Sequence, residues 1–268
     1  MRLRALNITG FFVDLVLLVL LCLPPVAGAA TVPRQEHHIY QLDFLIFENI
    51  AEGELKLIET EQSDVQRAEL IGRTLGLASW LAGERTQRYI ATMQAQGDGT
   101  MRSLMYESQV IKRRFGRWKT TRKRFMFDQE KREVVLEKEK NGEFVRKKSF
   151  DIPEGSLPVD ILTGFYNLRA GAYGPLRTGT RLEIPTVTSK GMSSIAVDVL
   201  TPAQQEKQGL SSDKGGLLLQ VSLDPEVFET TDGGLFLWLD ADGKPSRGLV
   251  GNVIGLGDVK GSLREEGS

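Results

Sequence analysis

The chain of 268 residues carries 34 Lys and Arg against 35 Asp and Glu, a formal net charge of −1, with 26% charged and 41% hydrophobic residues. That is the balance of an ordinary globular protein, without the basic excess a nucleic-acid binder shows. The single cysteine, Cys22, excludes an intramolecular disulfide.

Arg2 and Arg4 precede an apolar run from Leu15 to Leu23, which ends in Pro24, Pro25 and the small residues Ala27, Gly28 and Ala29. This is the layout of a secretory signal peptide over residues 1–29, cleaved before Ala30. The run falls short of the ~20 apolar residues of a spanning helix, and Asp14 blocks its extension backwards. The predicted location is the periplasm; the competing expectation is an uncleaved segment anchored in the inner membrane. Leu21 is too large for a lipidation signal ahead of Cys22. Cleavage would remove Cys22, and with it thiol catalysis and thiolate metal ligation.

Residues 30–39 form a polar lead, predicted to be mobile. Tyr40, Leu42, Phe44 and Ile46 then alternate with polar residues, and Gly53, Leu55 and Leu57 repeat the pattern, which predicts a hairpin. A strand from Gln66 to Arg73 follows, then a short helix between Thr74 and Gly83 built on Leu77, Trp80 and Leu81. Alternation resumes from Tyr89 to Ala95, turns at Gly97-Asp98-Gly99, and returns from Met101 to Ile111. Strands from Trp118 to Phe127 and from Arg132 to Glu139 lead to Asn141-Gly142, a strong hairpin signal because both residues tolerate positive φ.

The period changes after Pro153. Ser156 as cap and Pro158 in the first turn predict a helix with Ile161, Phe165, Leu168 and Ala172 on one face, stopped by Gly171 and Gly174. Strands at Leu182 to Ile184, Ile195 to Val199, Leu217 to Leu223, Leu235 to Leu239 and within Leu249 to Leu263 complete the chain, with Glu206 to Gly216 as a flexible loop. The predicted fold is mainly β, a β-rich α+β arrangement: a large curved antiparallel sheet or partly closed barrel, with one central helix packed on it. It forms a single domain over residues 40–263, with a tail at 264–268.

Two constellations carry chemistry. On the helix, Leu162, Tyr166, Arg169 and Tyr173 form a stripe that sets Arg169 between two tyrosines. A guanidinium so placed can stack on the rings and pair with an acid from elsewhere in the fold, a clasp between helix and sheet. Asp160, in the first turn where the helix dipole favours its ionised form, is the local candidate for a ligand or catalytic site. Trp238 and Asp242, flanking a turn at Asp240-Ala241-Asp242-Gly243, complete the candidate set. The turn lacks the distal ligands of a calcium loop.

The second constellation is basic: eight Lys and Arg stand between Lys112 and Arg124, with Phe115 and Trp118 interleaved. Lys112, Arg113, Arg114, Arg117, Arg122 and Arg124 are the candidate contacts for an anionic lipid or polysaccharide surface. Against that, Glu130, Glu133, Glu137 and Glu139 fall on the next strand, where cross-strand pairing neutralises charge. His37 and His38, adjacent in the lead, make no metal-ligand pattern. With no Walker loop or nucleophile elbow either, no metal or cofactor is expected.

The run DILTGFYNLR from Asp160 to Arg169, together with WLDADGKP from Trp238 to Pro245, resembles the bacterial family named domain of unknown function 3108. The similarity extends from about Tyr40 to about Leu263, and it implies an exported, β-rich protein with a strongly curved sheet and no assigned activity. The leading expectation is a non-enzymatic periplasmic protein that binds an apolar or amphipathic envelope molecule in its concave sheet. The alternatives are an envelope scaffold whose sheet is filled by its own side chains, docking an envelope protein, and a polysaccharide-acting enzyme using two carboxylates.

Overall fold

The computed structural model describes residue 32 and residues 34–44, 47–76, 79, 84–114, 116–222, 235–241, 245–250 and 258–264. The expected signal peptide with Cys22, the Leu77, Trp80 and Leu81 of the expected short helix, Phe115 and Asp242 lie outside these residues.

Eight strands come first: β1 (Glu36–Phe44), β2 (Phe47–Glu59), β3 (Val65–Thr74), β4 (Arg85–Ala95), β5 (Met101–Arg114), β6 (Arg117–Asp128), β7 (Glu133–Lys140) and β8 (Glu143–Asp151). Helix α1 (Ile161–Arg169) follows, then β9 (Arg181–Thr188), β10 (Gly191–Val199), helix α2 (Pro202–Lys207), β11 (Leu217–Ser222), β12 (Leu235–Leu239), β13 (Pro245–Val250) and β14 (Val259–Leu263). β1 begins at Glu36, so the stretch expected as a mobile lead supplies its first residues.

Local turn chemistry explains the tight connections. Asn141 and Gly142 adopt φ of 56° and 85° between β7 and β8. Gly99 sits at φ 84°, and Asp98 accepts from Thr100 N at 2.9 Å to close the β4–β5 turn.

All fourteen strands join one antiparallel sheet in the order β8-β7-β6-β5-β4-β3-β2-β1-β14-β13-β12-β11-β10-β9. Neighbours in space are thus neighbours in sequence, except where β1 pairs with β14, Tyr40 opposite Leu263. The sheet is curved and does not close by strand pairing. Its two edges, β8 and β9, are consecutive in the chain, and the segment between them carries α1.

Side chains bridge the gap instead. Lys148 Nζ donates to Ser189 O at 3.1 Å, and Phe150, Val187 and Met192 pack on a cluster of Phe125, Phe127, Val134, Leu136 and Ile152. Val159 runs beside β9, with its N–H donating to Pro185 O at 3.0 Å and its carbonyl accepting from Thr186 Oγ1 at 2.8 Å.

The concave face is the main core. Tyr40, Leu42, Leu55, Leu70, Tyr89, Met93, Leu219, Leu237 and Val250, drawn from both halves of the sheet, surround Leu162, Phe165, Tyr166 and Leu168 of α1. Leu162 through Leu168 are all buried, so α1 is a helix covered on every side, consistent with its mixed apolar and amide composition. Among the described residues no helix is long and apolar enough to cross a membrane.

The convex side of β11–β13 carries a second layer. Thr201 and Gln204 form a capping box on α2, and Gln205 ties the following turn down by donating to Leu200 O at 3.0 Å and accepting from Ser212 N at 2.8 Å. The segment expected as a flexible loop is anchored by these bonds. It closes on Gly216, where a Cβ would lie 2.0 Å from Leu239 O. Gly216→Ala therefore cannot be accommodated without moving β12 or the loop, and is expected to cost about 1–3 kcal/mol, read as a lower denaturation midpoint. A midpoint equal to the parent's would show that this approach is not needed.

Candidate functional site

The helix starts and stops two residues or more inside the predicted bounds. Asp160, not Ser156, is the N-cap: its Oδ1 accepts from Leu162 N at 2.9 Å and Thr163 N at 3.0 Å. Its Oδ2 accepts from Ser103 Oγ and Thr163 Oγ1, both at 2.6 Å, and Asp160 N donates back to Ser103 Oγ at 2.8 Å. Burial pushes the Asp160 carboxyl above its ordinary value, against the pull of these hydrogen bonds. The sequence predicted a carboxylate kept ionised by the helix end; what it could not supply was the depth of burial. Oδ1 thus caps α1, while Oδ2 ties the helix to β5 through Ser103.

Ser103 reaches Asp160 because of a bulge. Thr92 pairs with Met105 and Met93 with Ser103, leaving Leu104 as an extra residue that re-aims the start of β5. Further along α1, the Asn167 amide imitates a strand: Oδ1 accepts from Met101 N and Nδ2 donates to Met101 O, each at 2.7 Å. Gly164 allows the helix to approach the sheet edge, since a Cβ there would stand 3.2 Å from Ile184 Cγ2.

At its C-terminus α1 ends with Arg169, because Gly171 turns into the left-handed region at φ 75° and donates to Leu168 O at 3.0 Å. Tyr173 therefore leaves the helical stripe. The Arg169 guanidinium lies over Phe165 at 5.5 Å and Tyr166 at 5.7 Å, rather than between Tyr166 and Tyr173. It pairs in bidentate fashion with Glu36 of β1: Nη2 donates to Oε1 at 2.5 Å and Nη1 to Oε2. Only 13% and 12% of the two side chains are exposed.

Burial alone would push the Glu36 carboxyl up. His38, whose Nε2 lies 3.8 Å from Oε1, and the closer Arg169 guanidinium outweigh it and hold Glu36 down at about 2. Burial and the Glu36 charge push the Tyr166 hydroxyl well above its ordinary value, and burial pushes Tyr173 up to about 12. Both phenols therefore stay protonated near neutral pH, and neither serves as a base there. Glu36 went unrecognised as a site residue because nothing local marks it; its partner is 133 positions away.

Trp238 sits on the opposite side of the sheet from this cluster. It packs with Leu200, Leu218 and Phe236, donates from Nε1 to Ser211 O at 2.6 Å, and carries Arg247 over its ring at 5.1 Å. Arg247 in turn pairs with Asp213 at 2.5 Å. Trp238 thus fixes the second layer and does not meet Asp160, Tyr166 or Arg169.

The basic hairpin divides by face. On the convex face Arg122 pairs with Glu107 at 2.7 Å and Glu139 at 3.5 Å, Arg124 pairs with Glu137, and both guanidiniums lie over Phe144 at 5.0 and 4.1 Å. Arg88 pairs with Glu69 to continue the ladder. A depression of about 470 Å³ on this face is lined by Arg67, Arg88, Arg122 and Glu107 over Ile90 and Met105, three guanidiniums against one carboxylate, with Glu69 and Glu139 pairing to Arg88 and Arg122 from outside it. Arg113 pairs with Glu84 at 3.1 Å and lies 5.8 Å over Trp118. Lys112 stands opposite Lys119, and Arg117 is exposed; the Arg114 side chain lies outside the description.

No family model, curated protein or solved structure compared with this chain matches it.

Proposed function

We propose that the chain is a non-enzymatic binding protein of the cell envelope that meets its partners on its outer surface and not in a cavity. The observation that carries this reading is that α1 occupies the concave side of the sheet and that Asp160, Asn167 and Arg169 are engaged in tying it to β5 and β1. A lipid carrier would need that volume. A polysaccharide-acting enzyme would need a carboxylate facing a groove, whereas Asp160 is buried and accepts four hydrogen bonds. Export to the periplasm, motivated by the Arg2 to Ala29 leader, and membership of the family whose motifs the chain resembles are parts of the same proposal.

Native mass spectrometry with lipid extraction, on chain recovered without detergent, tests it. A mass with no bound small molecule is the expected result. A lipid present in near-stoichiometric amount would return the concave side to a carrier role and overturn this reading.

A further inference from the structure

The faces of β5, β6 and β7 differ in how their charge is met. On the convex face the guanidiniums of Arg122 and Arg124 are answered by Glu107, Glu137 and Glu139. On the other face, past the core-facing Phe125 and Leu136, the same strands present Arg117, Lys119, Lys123 and Lys138. These four make no ion pair with the described residues.

Register makes the contrast sharper. Arg85 stands opposite Lys112, Lys112 opposite Lys119, and Lys123 opposite Lys138. Like charges placed directly across an antiparallel pair destabilise it. The chain has no acidic residue from Ser108 to Phe127, and Glu143, opposite Lys140, stands only at the rim. At the tip, on the reverse side from the lysines, Trp118 is 57% exposed.

We infer that the β5–β6 hairpin is a docking element for an anionic phospholipid surface, entered tip first. An extended soluble polyanion would use the basic face alone. A bilayer interface takes both sides of the tip: phosphates are met by Arg117 and Lys119, while the indole of Trp118 sits at headgroup depth, where its apolar body and polar N–H are both accommodated. This inference rests on the reading that partners meet the outside of the protein, and it names one of them.

The test is sedimentation of the full chain with vesicles of phosphatidylcholine containing phosphatidylglycerol, against vesicles of phosphatidylcholine alone. Binding is expected only with the anionic lipid, and to fall as salt is raised. Losing a basic side chain near the surface is expected to weaken partitioning about fivefold, so Arg117→Glu with Lys119→Glu should weaken it more than tenfold. Trp118→Ala should weaken it further. Lys119→Glu alone places a carboxylate opposite Lys112 and is expected to leave the melting temperature equal or higher, which separates lost docking from lost folding.

Binding that is unchanged in the double reversal, or equal on neutral vesicles, overturns the inference. So does retention on an acidic polysaccharide without vesicle binding. A lipid found inside the protein by mass spectrometry would overturn the proposed function and leave the vesicle result standing, so the two failures are distinguishable.

Discussion

Arg169→Met is expected to lower stability by about 3 kcal/mol, the low end for breaking a buried ion pair, because Glu36 is left charged in a site where it is 12% exposed. The stacking on Phe165 and Tyr166 would be kept in part by the methionine, so most of the loss belongs to the carboxylate. Removing both members, as Arg169→Met with Glu36→Leu, should recover part of the loss. The parent and variant should also differ in their acid behaviour. Glu36 is held down at about 2 in the folded state. A carboxyl lowered on folding contributes stability that is present above its unfolded value and lost as pH falls through the folded one. The gap between parent and variant should therefore be full at neutral pH and shrink between about pH 4 and pH 2. Urea denaturation across that range measures it; an unchanged midpoint at neutral pH would show that the clasp holds nothing.

Asp160→Ala is expected to cost about 3–5 kcal/mol, combining a lost helix cap with buried donors that have no acceptor left. Those donors are Leu162 N, Thr163 N, Ser103 Oγ and Thr163 Oγ1. Asp160→Asn is the informative companion. Its carbonyl can still accept from the helix N–H groups, while its amide faces two hydroxyls that can turn to accept, so a loss of about 1 kcal/mol is expected. Tryptophan fluorescence during denaturation follows both variants. If alanine and asparagine were equally harmless, Asp160 would be free for another role, and the case against a catalytic carboxylate would fall with it.

Much of the fold was legible because its signals are short-ranged. Period-two alternation around Tyr89 to Ala95 and the turn residues at Gly97-Asp98-Gly99 and Asn141-Gly142 depend on a few neighbouring φ, ψ pairs, and the strands and hairpins stand where these signals put them. The two faces of β6 and β7 were readable for the same reason: Glu137 and Glu139 fall opposite Arg124 and near Arg122 once the hairpin register is set. Helix boundaries were less legible. Asp160 and Gly171 are ordinary cap residues, but Ser156 and Gly174 offered competing caps nearby, and only the approach of β5 and β9 chose between them.

By itself, then, the sequence determined the strands, their turns, the central helix packed on the sheet and the cross-strand pairing of Glu137 and Glu139 with the basic hairpin, since each follows from contacts between residues close in the chain. Only the tertiary structure decided that β1 pairs with β14, that the bulge at Leu104 turns Ser103 toward Asp160, and that Glu36 is the acid for Arg169. Those choices depend on bringing together groups far apart in sequence, and they are fixed by how the curved sheet buries α1 as a whole, a quantity no local window of residues contains.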